Sequence, residues 1–383
     1  MNSMKTHTLT TRERYVNTLL FKDTDRVPLI PGYGRESTHN RWHREGLPKG
    51  TENISEYAYR EAGGTLEWPE AGEDFVVNSQ MIPIFEEKVI EKRESSQIVQ
   101  DWKGNICEIG LEFSVAHLRE PIDFCTRSWI KCPVETRKDW EAMKKRYDVD
   151  DPARFSNNAV EIGKRLADRK HPIIINVSGP FWQMREWLGF EQLCMLFHDD
   201  PGWVKEMIAF WENFIYRLMD RMFTFLVPDH VHFSEDMAYK AHPMISPAMT
   251  REFLMPCWSR WRRKCHDAGV PVVGIDSDGD VSTLIPIMID AGVDYVDPME
   301  VAAGNDLPAF RRKYGQKIAF GGGIDKREIA KGGAYIAREI ERLKPVIESG
   351  GYIPGCDHGV PADVSWDNFV HYVKLLAKAT GWL

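Results

Sequence analysis

The sequence predicts an α/β protein, a (β/α)8 TIM barrel with an inserted antiparallel β-hairpin in its N-terminal third. Three observations carry this. First, four short apolar runs in the C-terminal third, Val272–Ile275, Val293–Val296, Ile318–Phe320 and Tyr352–Ile353, each end at once in Gly, Pro or polar residues. Second, segments of helical period lie between them: Ser282–Ala291, Leu307–Tyr314 and Ala334–Ser349. Alternating βα units build a parallel sheet, and in a closed barrel the loops after the strands carry the chemistry. Third, Phe85–Phe113 alternates in polarity around the turn Asp101-Trp102-Lys103-Gly104-Asn105, which reads as the hairpin. One domain over residues 1–383 is expected, with the insertion at about 85–113.

The earlier elements follow in order. Thr11–Leu20 reads as a helix leading to Arg26–Ile30, a first barrel strand, and Pro31–Arg44 as a loop rich in polar and aromatic groups. Glu61–Phe75 carries no clear period. Thr136–Tyr147 and Pro152–Arg169 read as consecutive helices, and Pro172–Val177 as a strand whose carboxyl-end loop is Ser178-Gly179-Pro180-Phe181-Trp182. Asp199-Asp200-Pro201 opens a long helix through Phe223, with acids at its positive end and Pro in its first turn. Val231–Phe233 is the next strand. Arg251–Ala268 is a basic amphipathic helix closed by Gly269, its charges forming a solvated face.

With 43% hydrophobic and 28% charged residues the chain has the composition of a soluble globular protein. A net charge of −8 leaves no basic patch to neutralise phosphates, which argues against nucleic acid as a partner. Seven scattered cysteines lack the spacing of a disulfide framework or a zinc ribbon. No apolar leader core follows Met1–Lys5, and no run approaches the ~18 apolar residues of a membrane span. A reduced, cytoplasmic protein is expected.

Chemistry-bearing residues gather at the strand ends. Asp276 and Asp278, two apart, face one side if the strand persists, and paired carboxylates either share a proton or bind a cation; the alternative is that Asp276–Asp280 is only a turn. Cys356 and His358 sit in a Pro-Gly-Cys-Asp-His-Gly loop, while Glu235 and Glu300 follow strands directly. Carboxylate, thiolate and imidazole are donors a Zn²⁺ site draws on, so Asp276, Asp278, Glu300 and Cys356 are the candidate metal ligands and His358, Asp276 and Glu235 the candidate catalytic groups. Tyr33, Trp182 and Trp187 could line a flat pocket, with Arg35 and Arg41 contacting a carboxylate; aromatics packing the insertion on the barrel are the plainer reading. Gly321-Gly322-Gly323-Ile324-Asp325 lacks the order of a phosphate loop.

Taken together, Arg26-Val27-Pro28, Gly179-Pro180-Phe181-Trp182, Gly274–Asp280, Gly321–Asp325, Gly350–Pro354 and Asp357–Pro361 resemble the uroporphyrinogen decarboxylase superfamily. The resemblance spans nearly the whole chain and implies a (β/α)8 barrel with its cleft at the carboxyl face. The superfamily holds true decarboxylases and zinc enzymes that move methyl groups to or from corrinoid proteins. In the decarboxylases' arginine-rich loop this chain keeps one arginine, Arg35, and their aspartate segment has its nearest counterpart in Glu73-Asp74-Phe75. Where their substrate-facing tyrosine and histidine fall, this chain has Trp187 and His358. The thiol methyltransferases' His-x-Cys…Cys ligands fall at Asp276, Asp278 and Cys356. The resemblance therefore implies a divergent member that takes a methyl group from a small methoxylated or methylated donor to a corrinoid carried by a partner protein, with a metal as Lewis acid. A cofactor-free decarboxylase of a small aromatic or pyrrolic acid is the runner-up, and a non-catalytic ligand-binding barrel the third reading. The expected partners are a small molecule and a corrinoid protein, with no nucleic acid and no membrane; a homodimer is left open.

Overall fold

The computed structural model describes residues 8–70, 72–120 and 122–383; the opening Met1–Lys5 lies outside them. Two sheets form. The first is antiparallel and runs in chain order through β1 (Lys88–Lys92), β2 (Ser96–Gln100), β3 (Ile106–Gly110) and β4 (Arg127–Lys131). The second is parallel: β5 (Ile174–Ser178), β6 (His230–Ser234), β7 (Val272–Asp276), β8 (Tyr295–Asp297), β9 (Ala319–Ile324) and β10 (Tyr352–Cys356), each paired with the next. Four of the six, β7 to β10, fall on the apolar runs of the C-terminal third. Outer helices, among them Pro201–Phe225, Ala334–Glu348 and Trp366–Thr380, cover the parallel sheet with apolar faces.

Below the strands, helix Thr11–Leu19 is fixed by a capping box between Thr10 and Glu13. It packs Tyr15 and Leu19 against Val272, Tyr295, Ala319 and Ile353, closing the amino-terminal end of the sheet.

Several expectations are corrected. Arg26–Ile30 is not a strand, because Pro28 and Pro31 lack the N–H groups a ladder needs. The chain instead follows β10 a little later: the Pro31 carbonyl accepts from Cys356 N at 3.2 Å, and Gly34 bridges Val360 in parallel. Strand pairing among the described residues gives six parallel strands of the expected βα order. The hairpin is the centre of a four-stranded sheet; its turn stands where expected, with the Asp101 carboxylate accepting from the N–H groups of Lys103 and Asn105. Pro31–Arg44 is no loop: Glu36–Glu45 is helical, burying Thr38 and Trp42 one turn apart and pairing Arg41 with Glu45. Pro152–Arg169 breaks at Ser156-Asn157-Asn158, and its helix begins at Ala159. A π-helical turn, Thr250–Leu254, precedes helix Met255–Asp267, where Pro256 has no N–H to donate. Among the described residues no helix is long and apolar enough to cross a membrane.

Candidate active site

Strand alternation sends every second side chain of the parallel sheet inward. Ser178, Ser234, Asp276 and Asp297 share one register level, and Asn176, His232, Gly274 and Tyr295 the level beneath. Most of them line a cavity of about 540 Å³ that also meets Tyr15, His230, Asp278, Cys356, His358 and Tyr33. Glycines make room for the rings: a Cβ on Gly274 would stand 2.5 Å from both His230 Nε2 and His232 Nδ1, and one on Gly321 1.9 Å from the Tyr295 hydroxyl.

A polar chain threads this interior. The Tyr15 hydroxyl lies 2.7 Å from His230 Nδ1, His230 Nε2 3.2 Å from His232 Nδ1, and His232 Nε2 3.2 Å from Asp297 Oδ1. Burial and the neighbouring His232 hold His230 well below its ordinary pKa, so it stays neutral. Burial also opposes a charge on His232, but Asp297 and Asp276 outweigh it and raise that pKa. Asp276 is the third partner. Burial pushes its carboxyl up to about 7, His232 and Ser234 pull it down, and Asp297 and Asp278 push it further up. One oxygen of Asp276 is enclosed without a hydrogen-bond partner. A carboxyl poised near neutrality in a cleft is what general acid–base work requires.

The remaining candidates divide. His358 Nε2 lies 3.5 Å from Asp278 Oδ2, and its pKa rises through that pair despite its burial. Cys356 lines the cavity, but burial pushes its thiol up to about 12 and keeps it protonated. Glu300 sits behind the rim, accepting from Gly279 N at 2.9 Å and Lys326 Nζ at 3.0 Å. Glu235 lies outside the cavity: its carboxylate accepts from the backbone N–H groups of Phe181 and Trp182 and from the Trp258 indole, holding the start of helix Pro180–Leu188. Gly179 is required there, since a Cβ would come within 2.2 Å of that carboxyl carbon.

Of the substrate-binding candidates, Tyr33 alone reaches this cavity. Arg35 stacks on Phe124 and donates to the Asp123 carbonyl, and Arg41 is held by Glu45 and the Ala362 carbonyl. Trp187 is fully buried and donates to Tyr147; Trp182 lines a neighbouring cavity. Sequence reasoning passed over Asp297, His230, His232, Tyr15 and Tyr295. The period-two pattern His230-Val231-His232-Phe233-Ser234 was the available signal for the histidines.

The donor set does not fit a bound zinc. Asp278 is paired with His358 and Glu300 with Lys326. Among the described residues no three His, Cys, Asp or Glu side chains stand together so as to hold a metal ion.

These features define a class: an α/β fold of parallel strands with a polar, acid- and imidazole-lined cavity at their carboxyl ends. The chain belongs to the uroporphyrinogen decarboxylase (URO-D) family, whose match covers residues 124–379 of the 383. No curated protein matches the sequence. Among solved structures it is similar to a methyltransferase from Methanosarcina mazei, with a TM-score of 0.61 and 14% identity over 97% of this chain and 99% of that one. It also matches a B12-independent methionine synthase from Shewanella sp. W3-18-1 in complex with selenomethionine, with a TM-score of 0.40 and 11% identity over 57% of this chain and 64% of that one. At 14% identity the likeness to the methyltransferase speaks to the fold alone.

Proposed function

We propose that this chain is a methyltransferase that removes the methyl group of a small methoxylated donor, with Asp276 as general acid. The observation that carries the reading is the cavity's lining: three aspartates, three histidines and no lysine or arginine, around a carboxyl titrating at about 7. An acid reacting at its own carboxylate would meet repulsion from Asp276, Asp278 and Asp297, which counts against the decarboxylase alternative.

Demethylation of an ether needs help at the oxygen. As the acceptor's nucleophile takes the methyl carbon, the C–O bond breaks and its electron pair stays on oxygen. Asp276 delivers a proton there, so an alcohol or phenol leaves instead of its anion. Burial and the neighbouring Asp297 hold the Asp276 pKa up, and His358, paired with Asp278, stands ready to return the proton from the mouth. A cavity of about 540 Å³ suits one small ligand, so the acceptor must approach from outside. The acceptor we assign, on the family resemblance, is a corrinoid carried by a separate protein; when present it supplies the nucleophile.

The test is direct. The purified chain is incubated with methoxylated aromatic and aliphatic compounds and a reduced corrinoid, and the demethylated product is followed by mass. Appearance of the free alcohol or phenol supports the reading. Release of CO₂ from a pyrrolic or aromatic acid, with no demethylation, replaces it with decarboxylation.

A further inference from the structure

A second cavity, of about 280 Å³, adjoins the first: Asn176 and Ser234 line both. Its character is different. Lys103 stands in its wall, delivered by the β2–β3 turn of the antiparallel sheet, beside the Trp182 ring and facing Glu186 on helix Pro180–Leu188. Ser79, Gln80 and Gln183 add neutral polar groups.

Charged groups crowd its wall. Lys103 binds one oxygen of Glu186, whose residue is 2% exposed; the other oxygen is enclosed without a hydrogen-bond partner. Arg127 of β4 lies 3.8 Å from that second oxygen. Burial pushes the Glu186 carboxyl up, but Lys103 and Arg127 more than offset it and hold it ionised. Asp101, whose carboxylate holds the β2–β3 turn, also lies within electrostatic reach of Lys103 and Glu186, and the Lys103 ammonium makes one hydrogen bond of the three it can donate. A small acceptor with negative charge completes such a group; an ammonium or another lysine does not.

We infer that the two cavities form one elongated substrate site, in which Lys103 receives the carboxylate of a methoxylated acid whose ether oxygen lies beside Asp276. This rests on the functional reading above and deepens it: the substrate is a methoxylated carboxylate, bound with its charge away from the aspartates. It also gives the antiparallel sheet a task. The sheet carries into the site the one cation that the parallel strands lack, and Lys103 selects among donors while Asp276 reacts with them.

The experiment is calorimetric binding of paired probes to the full chain: 4-methoxybutanoate and 4-methoxybenzoate, each against its primary amide. The acids should bind about 10- to 100-fold more tightly than the amides, the range expected of a charge-assisted bond. Lys103→Met alone strands Glu186, so the test uses Lys103→Met with Glu186→Gln, and Lys103→Arg beside it. The double variant should lose the preference for acids over amides, while Lys103→Arg keeps most of it. Equal affinity of acids and amides for the parent, binding of neither, or a preference that survives in the double variant overturns the inference. A clear preference with no demethylation by any corrinoid removes the functional reading and leaves the carboxylate site standing. Demethylation without the preference does the reverse.

Discussion

Two buried carboxyls, Glu235 at the head of helix Pro180–Leu188 and Asp276 at the cavity floor, have the same ancestry in sequence and opposite employment in the fold. Each follows or ends a strand, and each has its pKa pushed up by burial, to about 8 for Glu235 and about 7 for Asp276. Glu235 has both oxygens occupied by two backbone N–H groups and the Trp258 indole. Asp276 keeps an oxygen without a partner and borders an open cavity. A raised pKa therefore marks burial in both places, and access to a ligand in only one. Satisfaction of the hydrogen bonds separates the structural acid from the reactive one.

The sharpest way to break the comparison is the pair of isosteric amides. Asp276→Asn should lower the demethylation rate by about 10²- to 10⁴-fold, the usual weight of a general acid, in a protein that still folds. Glu235→Gln should do the opposite. Its amide NH2 would meet an N–H donor where a carboxyl oxygen accepted, so the change should fall on stability while turnover of the folded fraction stays near the parent's. Melting curves and steady-state rates read both. If Glu235→Gln abolishes turnover in a folded protein, Glu235 is more than a helix anchor; if Asp276→Asn retains full rate, the acid lies elsewhere.

A smaller effect lies in pH. The Asp276 carboxyl titrates at about 7 when folded, against an ordinary 3.8. Between those values the folded chain holds a proton that the unfolded chain has lost, so stability declines as pH rises across that interval and levels off above about 7. Glu235, moved from 4.5 to about 8, acts in the same direction over a window displaced upward. Asp276→Asn should remove one part of the decline and leave the part that ends near pH 8. The demethylation rate should fall as pH rises through about 7, because the protonated form is the donor. Denaturant midpoints and rates across pH 4–9 decide it; a difference between parent and Asp276→Asn that does not change between pH 4 and 7 would contradict the assignment to Asp276.

The same contrast explains what was legible in the sequence. The strand–loop–helix rhythm from Val272 onward could be read because buried strands are written as apolar runs, and Asp276, Asp278, Cys356 and His358 stand where that rhythm puts them, at the cavity. Glu235 and Glu300 occupy equivalent places in sequence, yet one folds beneath a helix and the other pairs with Lys326. The side of the strand end on which a carboxylate emerges is decided by the loop that follows, and a linear pattern does not carry that. Arg35, Arg41 and Trp187 misled for a related reason. A helix at Glu36–Glu45, hidden by its polar composition, turns the arginines toward Asp123 and Glu45, and Trp187 is drawn into a cluster of aromatic rings. Lys103 could be placed in a turn from its neighbours, but its arrival opposite Glu186 depends on how two sheets meet.

The smallest predicted effect sits at the mouth, where His358 and Asp278 differ from the buried pair in being reachable by solvent. The imidazole's pKa is raised chiefly by its bond to Asp278, with burial working against the charge and Lys326 opposing it as well. Asp278→Asn removes the carboxylate and leaves those two opposing influences, so the His358 midpoint should move down, below that of the parent. The imidazole C2–H resonance, followed across pH 5–9 and assigned with His358→Gln, measures the shift. The Asp276 midpoint should also fall slightly in the same variant, since Asp278 is among the charges that raise it. A His358 midpoint unchanged by the substitution would mean that the 3.5 Å pair is too loose to govern the proton, and that the mouth of the cavity titrates independently of its floor.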